Sequence, residues 1–435
     1  MDKVKSIITI LCIGLFLNTS LSYSLEVSTH EAINERIASG LFNGFSLDSY
    51  LKNNLGFTKG KDESVNGKKV YELIRDGGRY EDKPPWTLPY RRSVNHFHNP
   101  LTEQGFSGFF FGLLLSGDSS LLWAQKPLGT QSPGGYYSWY DARDYFYKAL
   151  TLTNKTDREK NFSDTFRGIG QIMHLVEDSS VPAHTRNDGH LTGYEKWVEN
   201  NININTINLI FFDNTILNRP TSGLPIANIF DTNQYNGGNP NVAVGTYIGL
   251  AEYTNANFFS EDTINSQNFP YPRIDSNTPI VTRSYTGQLG IYPRQYYLKN
   301  CCGETNAPNG YLLSVVDYFD YWRQKYPILS AGLPKIPVLD DNVYNDYASL
   351  LIPRAVGYSA GLLNYFFRGT LEITPPAQVA YAVTDGSQTP YIDNNGNLHQ
   401  QFTSIKTKVR NSTPDTIPGE EVQNCNQLQE NCILH

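Results

Sequence analysis

The chain has 435 residues, of which 39% are hydrophobic, 13% aromatic and 18% charged, and its formal net charge is −7. That length and apolar content can bury a large core and argue against wholesale disorder. The acidic balance disfavours a protein that works by laying basic charge along nucleic acid or anionic lipid. Only eight histidines are present, so short motifs that collect them become candidate sites.

Residues 1–24 begin with Lys3 and Lys5 and run through an apolar stretch from Ile7 to Leu17. They end in small residues, with Ser22 and Ser24 suited to cleavage. This predicts a signal peptide cut before Leu25, and hence a secreted or periplasmic, soluble protein. The apolar run is shorter than the roughly 20 residues that span a bilayer. Export makes Cys301, Cys302, Cys425 and Cys432 candidates for disulfides. Neither pair has zinc-finger spacing.

From Ser28 to about Gly369 the periodicity is mainly helical. Ser28-Thr29-His30-Glu31 reads as a capping box opening a helix through Ile37, and Ser138 opens another over 139–150. Thr156 to Glu159 is a second capping box. Phe162, Phe166, Ile169, Met173 and Val176 then mark the apolar face of a helix ending near Asp178, ahead of Pro182. Further helices are predicted over 194–200, 246–259, 311–323, 343–351 and 354–367. Loops rich in Asn, Gly and Pro fill 215–243 and 262–310. After Gly369 short alternating stretches at 378–384 and 402–410, with a turn at Asn394-Asn395-Gly396, predict strands. The expected organisation is a signal peptide (1–24), one large multi-helical, mainly α domain (25–369) and a β-rich or partly disordered C-terminal segment (370–435).

The sharpest motif is His174-x3-Asp178-x5-His184. His174 and Asp178 sit one helical turn apart on the same face, where an imidazole and a carboxylate can share a divalent ion. Pro182 breaks the helix and lets His184 return to the same place. The bland alternative is an Asp–His pair at a helix end, with His184 in a polar loop. Taken alone, His30 reads as a surface residue, and His96 and His98 alternate as strand residues do. Yet six of the eight histidines (30, 96, 98, 174, 184 and 190) fall in three short segments, and Asp82 precedes His96 by fourteen positions.

Together these motifs resemble the zinc-dependent phospholipase C / P1 nuclease family, through residues 25–200 most directly. The resemblance implies an all-helical domain holding up to three Zn2+ ions. His30 would bind one, helped by the α-amino group and carbonyl of a mature terminus at Leu25. His96, His174 and a bridging Asp178 would serve a second. His184 would hold the third, completed by a His-x3-Glu pair whose best match is Glu195. Asp82 would be a ligand or the catalytic base. His98 would stand beside the ligands or, more simply, be structural. Two departures are visible: Leu25 stands where the family has Trp, and the residue four before Glu195 is Leu191, with His190 one place off.

The implied activity is hydrolysis of a phosphodiester by a metal-bound hydroxide, most simply on a phospholipid. A nucleic acid enters only as an alternative, single-stranded substrate, and no stable protein partner is implied. A non-catalytic secreted binding protein on the same fold is the reading from a different class. Phe106, Phe109 to Phe111 and Leu113 to Leu115 offer an apolar lip for acyl chains or, more simply, core. Tyr136, Tyr137 and Trp139 offer either base stacking or core packing.

Overall fold

The computed structural model describes residues 25–374 apart from 43, 84–89, 111–112, 190–192, 209, 211–212, 222, 301–306 and 370. Beyond 374 it describes 382–384, 391–392, 395–396, 398–399, 402–405 and 408–411. The signal-peptide reading of 1–24, the four mature-chain cysteines, His190 and the polar tail from 412 lie outside the described residues. The chain divides into two compact units, one formed by the residues up to Asn364 and one by Tyr365–Thr416, with short tail pieces assigned to each.

Helices dominate the first unit. Helix α1 (Val27–Ser39) starts one residue before Ser28, from an N-cap at Glu26 that makes no side-chain cap bond. The capping box read at Ser28 is therefore absent, and Ser28 Oγ instead donates to Glu199. Helix α2 (Val70–Asp82) opens where the Glu72 carboxylate accepts from the Lys69 N–H at 2.9 Å. Helix α3 (Trp139–Thr151) has the expected cap, Ser138 and Asp141 bonding reciprocally. Helix α4 (Lys155–Asp178) is capped by Asn154 rather than by Thr156. Past it come short α5 (Pro182–Thr185), with Pro182 in its first turn, then α6 (Tyr194–Asn201) and α7 (Leu250–Asn257).

Three helices meet at a crossing that only glycine permits. A Cβ on Gly170 of α4 would lie 2.1 Å from the Ile74 carbonyl oxygen. One on Gly77 of α2 would lie 2.5 Å from the Arg167 carbonyl oxygen, and one on Gly78 would lie 2.6 Å from Asn34 Nδ2. With backbone against backbone, Asn34 of α1 donates to both Ile74 O and Gly170 O at 3.1 Å, tying the three helices together. The C-terminal ends of α2 and α4 and the N-terminal end of α1 converge beside this crossing, and each carries a metal-ligating residue type there.

Three expectations fail. The segment read as a helix over 311–323 is a buried strand, β5 (Tyr311–Val315), followed by a short helix over Asp320–Lys325. The loop read over 262–310 contains a hairpin, β3 (Ile280–Gly287) and β4 (Gly290–Lys299), to which β5 adds as a third antiparallel strand. The two helices read over 343–351 and 354–367 are one, α8 (Asp341–Phe366), which continues through Pro353. Earlier in the chain, β1 (Ser107–Phe110) and β2 (Leu113–Ser116) form a small antiparallel pair. Phe106, from the run offered as a lip, is core against Val94 and Phe97. Leu114 is 68% exposed.

The second unit has strand character among its described residues. Leu371–Thr374 pairs with Lys408–Asn411, Ala382–Thr384 with Phe402–Ile405, and Tyr391–Ile392 with Leu398–His399. The last pair flanks Gly396, whose φ of +84° suits the predicted turn.

Candidate metal centre

Asp178 closes α4 and is fully buried. The chain turns sharply after it, the Val181 N–H donating to the Asp178 carbonyl at 2.9 Å, and α5 brings His184 back. Asp178 Oδ1 lies 3.4 Å from His30 Nε2 and 3.6 Å from His184 Nδ1. Its Oδ2 lies 3.1 Å from His96 Nδ1 and 3.2 Å from His174 Nε2. One carboxylate thus faces four imidazoles from four separate segments. Asp82, at the end of α2, adds Oδ1 at 3.5 Å from His96 Nδ1 and 3.7 Å from His174 Nε2. Glu195, near the start of α6, places Oε1 3.4 Å from His184 Nε2.

The structure therefore gathers His30, Asp82, His96, His174, Asp178, His184 and Glu195 into one cluster. Leu25 is fully buried two residues before α1. Its service as an amino-terminal ligand depends on cleavage before it and belongs to the proposal below.

Side chains that the sequence reading passed over orient the imidazoles. His30 Nδ1 is 2.5 Å from Glu177 Oε2, which turns Nε2 toward Asp178. His174 Nδ1 lies 2.7 Å from the Gly78 carbonyl. A carbonyl only accepts, so Nδ1 carries the proton and Nε2 presents a lone pair to the cluster. That second-nitrogen anchoring is the usual arrangement of a ligating histidine. His30 and His174 stack with ring centroids 3.6 Å apart, and Phe97 stacks on His184 at 4.3 Å. Behind His96, the fully buried Glu81 accepts from Arg92 at 2.7 Å, Gln171 at 2.6 Å and Trp123 at 2.9 Å. Burial pushes Glu81 up, but the Arg92 guanidinium and His96 together outweigh it and hold the carboxyl well below its usual range. Local signals existed for both acids: Glu177 sits inside the His174–Asp178 motif, and Glu81 adjoins Asp82.

Electrostatically the cluster calls for positive charge. Burial opposes protonation of His30 and His96, yet Asp178, with Glu177 beside His30, raises each to about 10. Burial raises Asp178, and His174, His184 and His96 more than reverse that. In geometric terms His30 Nε2 and both Asp178 oxygens are buried without a hydrogen bond. Buried polar atoms normally have a partner, and a divalent cation would supply one here. His30, His174 and Asp178 each offer an atom within 4.8 Å of the others, as do Asp82, His96 and His174. A donor set of imidazole nitrogens and carboxylate oxygens at this density fits zinc.

Among the described residues no helix is long and apolar enough to cross a membrane. No family model matches the chain, and no curated protein matches it. Among solved structures, an alpha toxin from Clostridium absonum aligns over 92% of this chain and 84% of its own, at 12% identity and a TM-score of 0.28. A likeness at that level carries no argument about fold or activity.

Proposed function

We propose that the chain is an exported, zinc-dependent phosphodiester hydrolase of the phospholipase C type, cleaving a phospholipid to diacylglycerol and a phosphorylated head group. The observation that carries the reading is Asp178, a single buried carboxylate within 3.1–3.6 Å of nitrogens from four histidines. His30 would hold one ion with the amino terminus at Leu25. His96, His174 and Asp82 would hold a second, and His184 and Glu195 a third. Asp178 would reach between them. Zinc held there neutralises phosphate oxygens and lowers the pKa of an attacking water.

The remaining roles belong to the chain's own side chains. Asp82 keeps slight solvent access at 8%, unlike fully buried Asp178. That access would let it serve, as the alternative to ligating, as the base that takes a proton from water at the cluster rim. Glu177 and the Gly78 carbonyl hold the His30 and His174 rings so that Nε2 faces inward. Glu81 and Arg92 form a neutral, hydrogen-bonded backing that fixes the wall behind His96 without adding net charge. The reading also implies export through the signal peptide and no stable protein partner.

The single-strand nuclease alternative loses part of its support. Tyr137 and Trp139 are buried and cannot stack on a base, although Tyr136 is 45% exposed. The test is hydrolysis of phosphatidylcholine vesicles against release of nucleotides from single-stranded DNA, each with and without chelator. Chelator-sensitive lipid turnover supports the proposal, and nucleotide release without lipid turnover decides for the nuclease. Lipid turnover that ignores the chelator sinks the zinc mechanism. Neither activity, with fewer than two zinc ions per chain, leaves the non-catalytic binding protein.

A further inference from the structure

A second group of ligating side chains lies outside the centre just described. His98 Nε2 is 2.9 Å from Asp231 Oδ2, and His98, Glu103 and Asp231 each offer one atom within 4.8 Å of the other two. His98 and Asp231 are buried, whereas Glu103 is exposed, so the group opens to solvent on one side. Three segments build it: the stretch after His96, the turn closed by Asn99 and Gln104, and the loop that follows Ala227–Phe230.

The charges in this group do not balance. Two carboxylates face each other, and partial desolvation of its carboxyl together with the facing Asp231 pushes Glu103 up to about 7. Glu252 adds a third carboxyl nearby, satisfied by the N–H groups of Thr232, Gln234, Tyr235 and Gly249. Among the described residues, no Lys or Arg forms an ion pair with Glu103, Asp231 or Glu252. His98 Nδ1 is 2.9 Å from Ser119 Oγ. With Nδ1–H donated to that hydroxyl, Nε2 presents a lone pair on the Asp231 side, the tautomer that a cation shared with Asp231 requires.

We propose that His98, Asp231 and Glu103 form a separate divalent-cation site, distinct from the Asp178 centre. One imidazole and two carboxylates suit a borderline ion such as zinc, and the open side leaves room for water to complete the coordination. The His98 N–H donates to the His184 carbonyl at 3.0 Å, so an ion here would also brace the segment that carries His184.

The test is a zinc count on the full chain, stripped with chelator, reloaded with zinc and desalted. Glu103→Gln and Asp231→Asn should each hold one zinc fewer than the unsubstituted chain. Glu103 is exposed and Gln keeps its shape, so that variant folds and decides the matter if Asp231→Asn does not. Equal counts in Glu103→Gln and the unsubstituted chain would overturn the site and assign the pair a shared proton instead. An Asp178 centre that takes up no zinc would lower all counts alike, leaving the difference intact.

Discussion

Asp178→Asn separates a metal centre from a purely structural cluster of buried charges. The substitution keeps the shape and one oxygen but removes the charge that faces His30, His96, His174 and His184 at 3.1–3.6 Å. Without metal, losing one partner of a buried pair costs about 3–5 kcal/mol. With metal, each zinc present at about a thousand times its dissociation constant adds about 4 kcal/mol to the folded state. At about 2 °C per kcal/mol for a unit of this size, stripping one zinc should lower the unsubstituted chain's melting temperature by about 8 °C. Asp178→Asn should melt lower than the chain it derives from and lose most of the response to chelator. Calorimetry or circular dichroism, with and without a chelator, reads both quantities. If chelation lowers the melting temperature of both proteins equally, Asp178 holds no metal. If it moves neither, the cluster is held by protons alone.

Three further outcomes follow from the packing and charge. Gly170→Ala places a Cβ 2.1 Å from the Ile74 carbonyl oxygen, whereas the tightest contact for Gly168→Ala is the Ala142 Cβ at 3.3 Å. Denaturant unfolding should show a loss of about 3 kcal/mol or more for the first and much less for the second. Arg92→Leu leaves Glu81 charged and buried and should cost about 3–5 kcal/mol, much of it recovered when Glu81→Gln is added; purely additive effects would contradict the pairing. In chelated protein, His30 and His96 have folded pKa values near 10 against an ordinary 6.5. Their contribution is complete below pH 6.5 and lost as pH rises toward 10. Thermal melts of the chelated chain should therefore fall across that window, and flat melts would contradict the charge assignment.

What could be read in advance depended on the kind of signal. Helix α4 and its ligands were legible because a long apolar periodicity, a turn-spaced His and Asp, and a following proline agree over one continuous segment. The gathering of His30, Asp82 and Glu195 came from family resemblance, since nothing local in sequence brings α1, α2 and α6 together. Glycines at 77, 78 and 170 pack α1 and α2 against α4, and their effect shows only when backbones meet. Burial alternates along hairpin β3–β4, but the more buried face of β4 carries Arg294 while Ile291 is exposed, so the apolar alternation that marks a strand is broken. Strand β5 is buried on every residue, which makes its apolar run look the same as a buried helix turn.

Helix α8 shows tertiary packing overriding a local breaker. Pro353 removes one helical hydrogen bond at a cost of about 3 kcal/mol. The segment from Tyr347 to Leu363 is almost wholly buried, however, and Arg354 bonds the Leu350 carbonyl while stacking on Tyr253 at 3.8 Å. That packing holds the helix through the proline. Glu177 and Glu81 were overlooked for a different reason. Their importance lies in which ring nitrogen or guanidinium they face, and that is decided across 147 and 11 positions of chain respectively.

A zinc centre around Asp178 must show in the metal content of the chain. Its most direct test is the zinc content of the natively purified chain, counted by mass spectrometry beside the His174→Ala variant. At least two zinc ions per chain are expected, with a clear fall in the variant. Fewer than two in the native chain, or the same number in both proteins, would contradict it.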